Sequence, residues 1–430
     1  MLFNSFPFLV FFPTVTIIYF LLPHRLRWAW LLAASSFFYM FFKPVYILIL
    51  FFTIIIDYFA GILLEDEKNG QRKKLWLIMS LIANIGVLAV FKYYNFLNSN
   101  ISGVCSFFGA SNHIPYLNIL LPIGLSFHTF QAMSYTIEVY RGNQKAERHF
   151  GIYSLYVMYY PQLVAGPIER PQNMLHQFYE KHYFDYVNVV EGLRLMLWGM
   201  FKKVVVADRL AIFVNSVYDH PKDFHGFQTI LATAFFSFQI FCDFSGYSDI
   251  ALGSAQVMGF KLMVNFNRPY FSKSISEFWK RWHISLSTWF RDYLYISLGG
   301  NRVSKLRSYF NQFIVFLISG LWHGANWTFV IWGSLHGAYL IIGRFTYQFR
   351  AKLGSKSGLG KVLQLNSLIQ IITTFTLAAF AWIFFRAATL SDALTIIKNS
   401  SKISKSQLGW YMLGPDTYNF SLCFVFICLI

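Results

Sequence analysis

Residues 265–302 read NFNRPYFSKSISEFWKRWHISLSTWFRDYLYISLGGNR, and residues 320–327, GLWHGANW, follow shortly after with His323. Within the first stretch Ile275, Phe278, Trp279, Trp282, Leu286, Trp289, Phe290 and Tyr293 recur at helical spacing, while Glu277, Lys280, Thr288 and Arg291 fall on the other side. That spacing predicts an amphipathic helix over Ser274 to Tyr295. Its simplest role is interfacial, with aromatics at headgroup level and a basic face toward anionic lipid. At 100° per residue, His283 lies on the border between the faces, where it can line a cavity while Lys280 and Arg281 attend to phosphate.

His323 has a different setting. The run Ile314 to Trp322 is apolar, and Gly320 and Gly324 form a Gly-x-x-x-Gly that lets a neighbouring helix come close. An ionisable group at membrane depth is costly and faces a cavity or a bundle interior, so His323 is either a reactive group or a hydrogen-bonded packing residue. His336, thirteen residues on, reads as structural. In FSFQIFCDFSGYSDIALG, residues 236–253, Gln239 and Asp243 share a helix face and Asp249 follows. Buried carboxylates need partners. Pairing with Arg or Lys of the 265–302 segment is the favoured reading, and orienting a histidine is the other.

Working outward, the chain as a whole belongs in a bilayer. Of its 430 residues 56% are hydrophobic, 20% aromatic and 13% charged, with a mean hydropathy of +0.45. Too little polar surface remains to coat a soluble domain of this size. Apolar runs near the length of a membrane span occur at Tyr46 to Leu64, Leu75 to Phe91, Leu117 to Tyr140, Leu368 to Phe385 and from Phe420 onward. Phe6 to Leu22 lacks a basic leader and a small-residue cleavage site, and reads as a retained helix. The expected organisation is one integral domain over residues 1–430, with 265–340 as its signature segment.

The net charge of +17 does not point to nucleic acid, because Lys and Arg are scattered in short loops between apolar runs. Placing His24 to Arg27 and the charged loop Glu65 to Lys74 on the cytoplasmic side puts the N-terminus and the Lys43-Pro44 turn outside. Leu97 to Tyr116 contains no Lys or Arg and is also placed outside, and the basic loop Arg141 to His149 inside. Lys352 to Lys361 reads as a cytoplasmic loop. Cys105, Cys242, Cys423 and Cys428 form no Cys-x-x-Cys pair, so no metal site is expected. No Walker loop, dinucleotide glycine fingerprint or internal repeat is present.

LPIGLSFHTFQAMSYTIEVYRG, VAGPIERP, CDFSGYSDIALG, the 265–302 stretch and SGLWHGANWTFVIWGSLHG together resemble the membrane-bound O-acyltransferase family. Within it they are similar to the bacterial branch of alginate and peptidoglycan O-acetyltransferases and the membrane component of teichoic-acid D-alanylation. The likeness runs from near Met1 to about Arg386. It implies an all-α polytopic bundle of about 10–12 membrane segments with re-entrant or interfacial helices, thin at its centre, with a funnel open outside and a tunnel to the cytosol. The histidine of the family's Trp-His-Gly motif falls on His323, taken as catalytic, and that of its Arg-Trp-His motif on His283. Members continue past the point where this chain stops, so the last helix is expected to be incomplete.

The implied activity is O-acyl transfer from a cytoplasmic thioester, acetyl-CoA or a carrier-protein thioester, toward an extracytoplasmic polysaccharide, in the bacterial inner membrane and with no bound cofactor. A near-neutral imidazole suits removal of the hydroxyl proton, which makes His323 the candidate base. Oxyanion stabilisation falls to Asn326, Trp322 or backbone amides near Gly324. Lys280, Arg281, Arg291 and Arg302 are candidates for the donor's phosphates, and Asp243 for a supporting contact. No Gly-Asp-Ser or His-x-x-x-x-Asp motif occurs. An extracytoplasmic esterase-like transferase is therefore the expected partner, beside membrane lipids. Composition alone also allows a transporter with histidine gates, and the family allows lipid or protein acylation.

Overall fold

The computed structural model describes residues 1–119, 121–164, 166–347 and 363–402. The expected helix from Phe420, the loop Lys352 to Lys361, Cys423 and Cys428 lie outside the described residues. Among those described, every regular element is helical. Four helical stretches are long and apolar enough to cross a membrane, Pro44–Asp66, Gly70–Phe107, Phe227–Val257 and Leu365–Arg386, joined by the shorter apolar helix Phe6–Leu21.

The chain groups into two compact units, one of residues 1–198 and 247–263, the other of 199–246 and 264–430. In the first, α1 (Phe6–Leu21) and α2 (His24–Met40) lead through a short turn into α3 (Ile47–Asp66), α4 (Gly70–Leu88), α5 (Tyr94–Phe107) and α6 (Leu125–Arg141). Asn69 caps α4 by accepting from the amides of Gln71 and Arg72. Asp57 of α3 is fully buried, and its carboxylate accepts from Ser80 at 2.6 Å and Asn84 at 2.8 Å on α4, which ties these spans together through polar groups. Gly61 leaves room for the ring of Tyr135, so α3 and α6 approach closely.

One expected span is shorter than the sequence suggested. Leu117 to Tyr140 is not a single helix: residues 110–119 are extended along α5, with Asn95 donating to the Leu117 carbonyl at 2.7 Å and accepting from its amide at 2.9 Å. Pro122 and the left-handed Gly124, φ 77°, then start α6 at Leu125. Short helices α7 (Phe150–Met158), α8 (Tyr160–Leu163) and α9 (Pro171–Met174) follow, and α10 (Tyr186–Met200) runs on into a π-helical segment, Phe201–Ala207. Between α8 and α9 the VAGPIERP loop is clasped by buried Glu169, which accepts from Asn173 and from the Met263 amide, both at 2.5 Å.

The second unit contains that π-helical segment, α11 (Asp208–Asp219), the first part of α12 (Phe227–Val257), α13 (Ile275–Arg281), α14 (Ile284–Trp289), α15 (Lys305–His323), α16 (Trp327–Phe345), α17 (Leu363–Arg386) and α18 (Leu390–Ser400). Its core is aromatic: Phe278, Trp332 and Trp382 are almost wholly buried and surrounded by Phe236, Trp279 and Phe384. α15 and α16 pack backbone to backbone, because Gly320 lies under the Phe329 carbonyl and Gly333 under that of Phe316.

Candidate active site

The predicted 274–295 helix is interrupted, and the interruption makes the site. Ser274 caps α13 by accepting from the Glu277 amide at 3.1 Å. The helix ends when Trp282 donates to the Phe278 carbonyl at 2.8 Å and His283 turns left-handed, φ 43° and ψ 57°. A non-glycine residue there costs about 1–2 kcal/mol, which the surroundings must offset. α14 restarts at Ile284, and a π-helical turn follows over Phe290–Tyr295. His283 is therefore not on the border of one continuous helix. The two-faced pattern nevertheless survives: all eight residues of the predicted apolar stripe are buried, and Lys280 and Arg291 are exposed.

Asn265 holds the break open. Its backbone carbonyl accepts from the Ile284 amide at 2.9 Å, and its side-chain oxygen accepts from the Ser285 amide at 3.2 Å and the Ser285 hydroxyl at 2.8 Å. Nδ1 of His283 lies 3.2 Å from the same oxygen. Because the Ser285 amide can only donate, that Asn265 atom is the oxygen, and Nδ1 of His283 must carry the proton. The lone pair of His283 is then on Nε2. The ring is 1% exposed and meets the edge of Phe244, 4.6 Å between centroids, with Trp322 at 6.3 Å.

His323 ends α15. Its half-buried ring sits edge-on among Trp322, Trp332 and Phe385, at 4.9, 5.0 and 5.3 Å between centroids. Trp322 thus packs against both histidines. Gly324 follows beneath the ring of Phe329, a place no side chain could share. His336 is fully buried, its Nδ1 accepts from the Trp279 indole at 3.3 Å, and the rings of Trp279 and Trp332 pack on it at 5.0 and 5.1 Å between centroids. Its structural reading fits this packed position.

Trp279 borders a groove of about 400 Å³, and neither His283, which was expected to line a cavity with Lys280, nor His323 is among its lining residues, because the break at His283 turns that ring toward Asn265 and Phe244. Lys280, Arg291 and Arg344 line the groove together with Trp279, Phe316 and Gln312. Ser319 also lines it, one helical turn before His323 on α15, about 6 Å along the axis. Arg281 is not among its lining residues and pairs with Glu277 at 2.6 Å, while Arg302 sits in an exposed turn. Arg344, on the last turn of α16, was not singled out from the sequence, since only packing brings it to Lys280.

Two other expectations are revised. Asp243 does pair with a cation, but with Lys203 at 2.5 Å and not with the 265–302 segment; Lys203 also holds Asp208 at 2.7 Å. The π-helical segment carries Lys203 against α12, where Gly246 permits backbone approach to Gly199. Asn326 caps α16, its oxygen accepting from the Thr328 amide at 3.1 Å and its amide donating to the Ala388 carbonyl at 3.0 Å. No cluster of metal-ligating side chains occurs among the described residues.

Comparison with known proteins gives the family. Residues 149–362, which include both His283 and His323, match the membrane-bound O-acyltransferase family. The chain is 37% identical to the peptidoglycan O-acetyltransferase of Helicobacter pylori over 86% of its length and 72% of the relative's. It is 38% identical to the probable alginate O-acetylase of Pseudomonas aeruginosa, over 91% of this chain and 73% of that one. To the teichoic acid D-alanyltransferase of Bacillus subtilis it is 27% identical, over 64% and 70% respectively. An all-helical, multi-pass chain with these relatives at this coverage belongs to the membrane-bound O-acyltransferase family and is an O-acyltransferase.

Proposed function

We propose that this enzyme takes an acyl group, acetyl in the first instance, from a cytoplasmic thioester and passes it across the bacterial inner membrane for O-acylation of an extracytoplasmic polysaccharide. The observation that carries this reading is the position of His323, half-buried in an aromatic cage one helical turn from a groove bearing three cations. In the proposed reaction an acceptor hydroxyl gives its proton to the imidazole of His323 as its oxygen attacks the thioester carbonyl. The C–O bond forms, the C–S bond breaks, and the thiolate leaves and is reprotonated. Lys280, Arg291 and Arg344 would receive phosphates of acetyl-CoA or of a carrier's phosphopantetheine arm. His283, with its tautomer fixed by Asn265, would present Nε2 as an acceptor on the donor side.

The relatives named as a peptidoglycan O-acetyltransferase and an alginate O-acetylase support a polysaccharide as the acceptor class. An extracytoplasmic esterase-like transferase would complete delivery, since no Gly-Asp-Ser motif occurs in this sequence. Family membership displaces the transporter suggested by composition. The test is reconstitution of the purified chain in liposomes with acetyl-CoA and a saccharide acceptor, with and without that partner. Thiol release that depends on His323, together with polymer acetylation that requires the partner, supports the proposal. Full-rate polymer acetylation by the chain alone would remove the relay.

A further inference from the structure

The first unit holds a cavity whose lining residues are separate from those of the groove proposed for the donor. It measures about 290 Å³ and is lined by Tyr39, Phe42, Lys43, Tyr46, Leu121 and Ile123, with Met1 and Val164 completing it. Most of this wall is hydrocarbon. Among the described lining residues its only cationic side chain is Lys43, whose Nζ lies 5.2 Å from the centre of the Tyr46 ring, and no carboxylate lines it; the N-terminal amine of Met1 is already engaged with the Phe38 carbonyl at 2.8 Å. Among the described residues Lys43 forms no ion pair. Tyr39 is 5% exposed, and among the described residues its buried hydroxyl has no hydrogen-bond partner. Leaving a buried hydroxyl unsatisfied is unfavourable, and a ligand oxygen would relieve it.

Lys43 directly precedes the span Pro44–Asp66, so it stands where a membrane helix meets the headgroup layer. One ammonium and a phenol that need acceptors, set in an apolar wall at the end of a span, fit an anionic oxygen group carried on a hydrocarbon body. A saccharide fits poorly. It would bring several hydroxyls into a wall with few polar groups to meet them, and each unpaired hydroxyl would cost affinity.

We propose that this cavity, at the corner between α2 and α3, is a binding site for the phosphate headgroup of an anionic phospholipid, with Lys43 and the Tyr39 hydroxyl on the phosphate and the first acyl methylenes against Leu121 and Ile123. The site is independent of the donor groove and of the acyl transfer proposed above.

The test uses the purified full chain in detergent, titrated with phosphatidylglycerol, phosphatidylcholine, glycerol phosphate and inorganic phosphate, with bound lipid counted by native mass spectrometry. Phosphatidylglycerol should bind at least tenfold more tightly than phosphatidylcholine, and neither phosphate alone should compete at equal concentration. Lys43→Gln should weaken phosphatidylglycerol about tenfold, the size expected for a lost charge-assisted hydrogen bond. Tyr39→Phe should weaken it by a smaller factor, and Lys43→Arg should retain it. Equal binding of the two lipids, displacement by free phosphate, or unchanged affinity in both Lys43→Gln and Tyr39→Phe would overturn the assignment.

Discussion

The side-chain oxygen of Asn265 lies 3.2 Å from Nδ1 of His283, across eighteen residues of sequence. That one atom also serves both donors of Ser285, so a single amide fixes the backbone break and the tautomer of the imidazole. Removing it should disturb geometry and stability together. Asn265→Ala is expected to cost about 2–3 kcal/mol, because buried donors at Ser285 and His283 lose their acceptor. Thermal unfolding in detergent reads the first effect and thiol release from acetyl-CoA the second. An Asn265→Ala enzyme with wild-type stability and turnover would show that His283 needs no such anchor.

The groove proposed for the donor gives a prediction about binding. Lys280→Ala, Arg291→Ala and Arg344→Ala should each raise KM for acetyl-CoA several-fold to tenfold with little change in kcat, as expected when ground state and transition state share the lost contact. Arg281→Ala should do much less, since Arg281, unlike Arg291, does not line the groove. Steady-state kinetics on the four variants decides it: an Arg281 effect equal to that of Lys280 contradicts the assignment.

Close packing of α15 on α16 positions His323, and it rests on glycine. A methyl at Gly320 would press on the Phe329 carbonyl, which belongs to backbone and cannot rotate away. Gly320→Ala should therefore cost about 1–3 kcal/mol and lower turnover. Gly86→Ala is the contrast, because nothing lies within 4 Å of a methyl there. It should leave stability unchanged or raise it by about 0.5–1 kcal/mol through reduced backbone entropy in the unfolded chain. Melting curves that rank the two variants the other way would remove this account of the helix pair.

Glu169 makes a prediction with a definite sign. Burial raises its carboxyl from the usual 4.5 to about 7. Between those values the folded state holds a proton that the unfolded state has lost, so its contribution is fully present below about 4.5 and declines as pH rises toward 7. The melting-temperature advantage of wild type over Glu169→Ala should shrink across that window and level off above it. An advantage that grows with pH would show that the clasp favours the ionised form.

Much of this was legible in the sequence, and the remainder was hidden for identifiable reasons. Apolar run length gave α1, α3 and α4, and the aromatic stripe from Ile275 to Tyr293 gave the buried face of the signature segment, because burial follows local periodicity. The turn at His283 was not legible. It depends on hydrogen bonds from Asn265, and a pattern confined to residues 274–295 cannot report them. Likewise Lys203 reaches Asp243, and Arg344 reaches the groove with Lys280, only through packing of distant elements. The extended stretch before α6 had a signal that run length outweighed: Pro122 and Gly124, with Asn95, Asn98 and Asn112 supplying backbone partners.

The central claim is that His323 takes the acceptor's proton, and the direct measurement is turnover of acetyl-CoA by purified His323→Ala in liposomes, with folding checked by monodispersity and melting. A general base contributes about 10² to 10⁴ in rate, roughly 3–5 kcal/mol of barrier, so turnover should fall by that factor while acetyl-CoA affinity changes little. His283→Ala should lose turnover with a larger share in donor affinity. His336→Ala, removing a packed ring, should lose stability more than chemistry. A folded His323→Ala protein that turns over at the wild-type rate would contradict the mechanism.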